Sequence, residues 1–358
     1  MLNISDLRAV TLGVGSFVAI VVVALSIGAC GRESAETALP EASVSEDVAV
    51  VVNIDADAIS PANLRASAMA LLNAVPEESA QERQMAEEQL NQRIEEYAPV
   101  YEDLVRRGVR ALSIAIAPLE SGDAAGMMLL RTEGDIDLTA LRDRFRAFNE
   151  QAGKGDMPDD ATFKKHGENW AFLQTGEEDM RSPADGSAEA TQGFEDAMAR
   201  VPSGVRLALR MTNVVDQQAQ AMQNASGPLA MFAQPLANLD FAVMGVTTGD
   251  VPVMNALLHF RNVDAAATFL EAWNGMMSMA KAGTSAQLQN TQNPPAKQTL
   301  DALFASLQMQ QDEATLSMTL GADFVENIAK VAPAAAPMIM GGMGGGGEMP
   351  PATAPGSR

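Results

Sequence analysis

The sequence predicts an α+β protein of two tandem units, each an antiparallel sheet with helices on one face, and three observations carry that prediction. Short segments alternate apolar and polar residues with period two, as half-buried strands do. Longer segments repeat their apolar residues at helical spacing. The order strand, helix, strand pair, helix, strand pair then occurs twice along the chain.

The first unit opens on Val48, Val50, Val52 and Ile54, alternating along one strand, and the second on Val205, Leu207, Leu209 and Met211, with Arg206 and Arg210 between. Leu112, Ile114 and Ile116 lead into Ser121-Gly122-Asp123, and Leu239, Phe241 and Val243 lead into Thr248-Gly249-Asp250, at an offset of 127 residues (Leu112 to Leu239). At the same offset Ile136-Asp137 opens a helix with Leu138, Leu141, Phe145 and Phe148 on one face. Val263-Asp264 opens another with Ala267, Leu270, Trp273 and Met277. Each Asp reads as an N-cap, its carboxylate accepting from a backbone N–H that the helix leaves unpaired. Hairpins follow, Thr162 to Lys165 with Trp170 to Gln174, and Ser306 to Gln310 with Thr315 to Leu320. This order resembles a ferredoxin-like split βαβ unit with an added strand, which implies antiparallel sheets with helices on one face. The body also resembles secreted bacterial proteins made of duplicated α+β units.

The units are expected at 47–176 and 204–331, joined by a linker with a short helix at 177–203. Their first strands are offset by 157 residues (Val48 to Val205) and not 127, so the first unit carries about 30 extra residues, a helical insertion at 76–107. Ser60-Pro61 supplies an N-cap and first helical residue, and Pro76 interrupts. Beyond it Leu90, Ile94, Tyr97, Tyr101 and Leu104 form one apolar stripe in a heavily charged segment. Only one unit has this segment, and its tyrosines are of the amphipathic kind enriched at interfaces, so residues 77–105 are expected to dock an envelope protein partner. The alternative is a solvated helix lying on its own domain.

The two ends have different chemistry. No charged residue occurs from Ala9 to Gly31, and the apolar run Val10 to Ile27 closes on Gly28-Ala29-Cys30, as an export signal does. Ile27-Gly28-Ala29-Cys30 resembles the lipobox of bacterial lipoproteins, which implies a signal peptide at 1–29 and a lipid on Cys30, and an envelope location. Gly31 in place of an inner-membrane retention Asp implies the outer membrane by the same resemblance. Residues 30–46 read as a flexible tether, and the Gly, Pro and Met-rich tail 332–358 as disordered.

With 358 residues and a net charge of -22, the chain can bury a core and is repelled by nucleic acid. Its single Cys is Cys30, which leaves the body no disulfide, thiolate nucleophile or thiolate ligand. Gly342 to Gly347 satisfies GxGxxG inside low complexity, with no strand before it and no helix after, and so carries no meaning. His166 sits in a turn and His259 on a strand; Asp55/Asp57, Asp135/Asp137 and Asp156/Asp159/Asp160 lack a calcium-loop spacing. Methionine is abundant, 22 in all, and the clusters Met276/Met277/Met279 and Met338/Met340/Met343 are soft enough to hold Cu(I). The expectation is a non-catalytic, lipid-anchored scaffold or binding protein without cofactor. A periplasmic carrier of an apolar ligand is the alternative, with copper handling or a hydrolase behind it.

Overall fold

The computed structural model describes residues 39–74, 80–118, 124–134, 136–151, 161–174, 182–211, 230–248, 253–289 and 301–321, with Phe324 and Asn327. The protein is α+β, and its ten described strands form a single antiparallel sheet. They are β1 Val50–Asp55, β2 Val109–Pro118, β3 Ala124–Thr132, β4 Thr162–Lys165, β5 Trp170–Gln174, β6 Val205–Arg210, β7 Leu239–Thr247, β8 Val253–Phe260, β9 Gln310–Asp312 and β10 Thr315–Leu320. Their order is β4-β5-β3-β2-β1-β6-β7-β8-β10-β9. Counted outward from the centre, each half reads first, second, third, fifth and fourth strand.

Two expectations are corrected by this order. A split βαβ unit separates its parallel strands by another strand, whereas β1 pairs directly and antiparallel with β2, Val51 opposite Ala115. The reason lies in the connection: α1 (Pro61–Ala74) and α2 (Ala80–Arg106) pack as a hairpin, with Leu64 against Ile94 and Arg65 Nε donating to Asn91 Oδ1 at 3.1 Å. Two helices return the chain to the end of the sheet it left, so the next strand must run back. Nor are there two sheets, because β1 and β6 each present an open edge and each satisfies the other, with Val52 opposite Leu207.

Helices lie on both faces, another departure from expectation. The front face carries α2, α3 (Leu138–Gln151), α5 (Ala230–Leu236) and α6 (Val263–Gln289). Leu141 and Phe145 of α3 pack on Ile54, Leu112 and Leu130, and Phe232 and Phe269 pack on Phe260 and Leu316. The back face is covered by α4 (Ala188–Met198), the short helix expected in the linker, through Phe194 and Met198 on Val51, Ala208 and Val243. Arg206 and Arg210 thus lie on the back face and Met128 and Leu130 on the front.

Residues 39–46 are not tether. Leu39 and Val44 are 2% and 0% exposed in the back-face core, and Val44 N–H donates to Thr191 Oγ1 of α4 at 2.9 Å. Leu39 N–H donates to Glu195 of the same helix. The leader, Cys30, the rest of the tether and the tail 332–358 lie outside the described residues.

Strand bounds also correct the offsets. Val50–Asp55 and Val205–Arg210 stand 155 apart, and the bulges between Val109 and Ala111 and between Leu239 and Phe241 stand 130 apart. An odd offset of 127 would match Ile114 of the front face with Phe241 of the back, and side chains alternate faces along a strand. Ser60 does cap α1, accepting from Asn63 N–H at 3.3 Å, and Asp137 caps α3, accepting from Thr139 and Ala140 N–H at 3.0 Å. The cap of α6 is Asn262, which accepts from Ala265 N–H at 2.8 Å, while Asp264 stands in the first turn. The hairpin β4–β5 has the expected bounds, but β9 begins at Gln310, since residues 301–306 are helical and Lys281 holds Asp301 at 2.8 Å.

Candidate functional site

The stripe on α2 faces inward. Ile94 is 5% exposed and packs with Leu64, Leu90 and Tyr97; Leu104 packs on the sheet. Periodicity marked these residues correctly as one face, and the tertiary structure spends that face on the chain's own α1 and β1–β3.

Packing there is incomplete. Between α2, α3 and β1–β3 lies an apolar cavity of about 60 Å³, lined among others by Tyr97, Tyr101, Leu104, Leu130, Arg144 and Phe145. The tyrosine rings sit 5.9 Å apart. Burial raises the pKa of Tyr97, with a further push from Tyr101. Burial also raises that of Tyr101, with Asp57 adding to the effect and Arg110 opposing it. Both phenols therefore stay protonated at neutral pH, as donors.

Arg144 is the charged member of the lining. Its Nε is buried without a hydrogen bond, 3.4 Å from Asp103 Oδ2. Asp103 also accepts from Arg107 Nε at 3.0 Å and lies 3.8 Å from Arg106. Among the described residues, three guanidiniums surround this one carboxylate, on a chain of net charge -22.

The corresponding place in the other half is filled. With α3 and α6 aligned on their caps, Arg144 corresponds to Phe269, whose ring lies 5.1 Å from Phe232 and 5.5 Å from Phe260. Sequence reasoning missed Arg144, Arg107 and Asp103. The signal was the Arg-to-Phe difference between α3 and α6, hidden by taking Asp264 instead of Asn262 as the second cap.

The remaining polar candidates are bound into structure. On the back face at the β1–β6 seam, Asn53 Nδ2 donates to Ser113 Oγ at 3.0 Å and Arg206 donates to Asn53 Oδ1 at 2.7 Å. Asp55 lies 3.8 Å from Arg206 and accepts from Gly204 N–H at 3.0 Å. Burial raises the pKa of Asp55 and outweighs Arg206, which opposes it. Arg210 stacks on Phe194 and Phe241, 4.8 and 5.3 Å from their centroids, and donates to Ala190 O. His259 Nδ1 lies 2.9 Å from Arg200 and 3.0 Å from Thr315 Oγ1. Burial lowers its pKa, Arg200 lowers it further and Asp240 opposes. His166 stands edge-on to Phe172 at 6.4 Å. Met276 packs on the second-half core and Met279 is 55% exposed, while Asp135, Asp156, Asp159, Asp160 and the tail methionines lie outside the described residues.

No family model, curated protein or solved structure matches the chain.

Proposed function

We propose that this chain is a non-catalytic, lipid-anchored cell-envelope protein of two related α+β units, acting as a scaffold or binding module. The observation that carries the binding reading is the asymmetry between the halves, a cavity beside an arginine cluster in one and a plug of phenylalanines in the other. Common origin of the units is supported by the strand order repeated from the centre outward, with the ferredoxin-like order replaced by an antiparallel run. The non-catalytic reading is supported by the use of Asp55, Arg206 and His259 as ties between strands.

Anchoring is supported by Ile27-Gly28-Ala29-Cys30, and Gly31 favours the outer membrane. An envelope partner at 77–105 would meet the outer side of α2, where Met85 is 47% exposed. A carrier of bulky apolar ligands is less favoured, because a cavity of 60 Å³ is far below the roughly 300–1,000 Å³ of sites that enclose drug-sized molecules. Intact mass of protein extracted from membranes tests the anchor. An acylated Cys30 at the mature N-terminus is expected, lost in Cys30→Ser together with membrane partition, and an unmodified N-terminus refutes it. Capture of partners from native membranes by wild type, but not by a variant with charged substitutions at Met85 and its exposed neighbours, tests the scaffold.

A further inference from the structure

We propose that the cavity between α2 and α3 binds the tail of a small aliphatic monocarboxylate, with its head group held by Arg144 and Arg107 beside Asp103. This rests on the binding reading above and is independent of the lipid anchor.

Size, lining and charge each narrow the ligand. An apolar cavity of about 150 Å³ stays dry and admits benzene, so one of 60 Å³ suits a short chain and excludes a ring. The wall is aliphatic and aromatic, and burying each methylene there is favourable. At the charged member of that wall, Arg144, a buried Nε makes no hydrogen bond and is held only by its 3.4 Å ion pair with Asp103, so an entering carboxylate supplies a further acceptor. Asp103 is shared among three arginines, so a second carboxylate can enter without leaving any of them overcharged. Guanidinium forks match carboxylates in a planar, bidentate manner. A single negative charge is favoured over a phosphate dianion because the chain, at -22 overall, repels anions in proportion to their charge. The other half supports the same assignment from the opposite direction. Phe269, the counterpart of Arg144, packs its ring against Phe232 and Phe260 and brings no charge to that position.

The test uses a feature of the composition. Tyr97 and Tyr101 are the chain's two tyrosines and both line the cavity, so the full chain labelled with ring-fluorinated tyrosine reports on this site alone by fluorine NMR. Titration with acetate, propanoate and butanoate is expected to shift both resonances saturably, with affinity rising about fourfold per added methylene. Arg144→Leu should weaken butanoate at least about tenfold and leave butan-1-ol unchanged. Leu130→Phe, which puts a ring into the cavity, should abolish the response to both. Absence of a saturable shift with butanoate, equal affinities for acetate and butanoate, or an unaltered butanoate affinity in Arg144→Leu each overturns the proposal. Should Leu130→Phe fail to fold, the wild-type chain-length series decides alone. A negative titration on protein that still captures its membrane partner sinks this inference and spares the binding reading.

Discussion

At the scale of single residues, the seam between β1 and β6 sets the terms. Asn53 and Ser113 are fully buried, and Arg206 and Asp55 nearly so, hence removing one member strands the charge of another. Arg206→Met is expected to cost about 3–5 kcal/mol in urea denaturation. A loss below about 1 kcal/mol would mean that solvent reaches Asp55. Asp55 also predicts a pH dependence of unusual sign. Its folded pKa is raised above the unfolded 3.8, so the native state holds the proton more tightly. The burden of keeping it charged is complete above the folded pKa and is relieved as pH falls towards 3.8. Wild-type stability measured relative to Asp55→Asn should therefore increase on acidification through that window and level off below it. A relative stability that decreases there would show that Arg206 dominates.

At the scale of elements, α2 and the N-terminal segment 39–48, a strap across α4, determine which surfaces remain. Deleting residues 77–105 is expected to unfold the first half, because Leu104 packs on the sheet and Ile94 on Leu64 of α1. Ile94→Ala alone should cost about 2 kcal/mol or more in the same denaturation experiment. A deletion that leaves the melting transition unchanged would return α2 to the status of an added docking helix. The strap is held by close approach as well as by hydrogen bonds. A Cβ on Gly186 would sit 2.2 Å from Ala42 O, and Ser187 N–H donates to Val44 O at 2.9 Å. Gly186→Ala should thus release residues 39–48, seen as faster amide exchange at Val44 while β7 and β8 stay protected. Unchanged exchange at Val44 would show that the backbone relaxes around the methyl group.

At the scale of the whole molecule, the continuous sheet couples the halves. Val50–Asp55 pairs with β2 on one side and β6 on the other, so neither half buries its central edge alone. The outer edges are blunt by contrast: β4 carries Lys164 and Lys165, and β9 is three residues long. A fragment of residues 204–331 is therefore expected to pair β6 with β6 of a second copy, reproducing the β1–β6 ladder about its local two-fold axis. Sedimentation should show a dimer, and Leu207→Lys at the axis should disperse it. A stable monomer would mean that the seam contributes little.

The sequence alone made legible the α+β class, most strand positions, the first two helix caps and which residues of α2 share one apolar stripe. Each of these is a local property, set by a period of two or of 3.6 residues or by one side chain reaching a neighbouring amide. It did not determine that the halves share one sheet, since alternation in β1 and β6 states which residues face the core and not which edge they pair with. Nor could it place the strap, whose Leu39 and Val44 are too far apart to make a period. The cavity was decided last and only in three dimensions. Arg144 comes from α3 whereas Asp103 and Arg107 stand at the end of α2, and the gap beside them exists because Tyr97, Leu104 and Phe145 do not quite fill the space that β1–β3 leave open. Volume left over between elements is a property of their packing, and no residue in the chain encodes it alone.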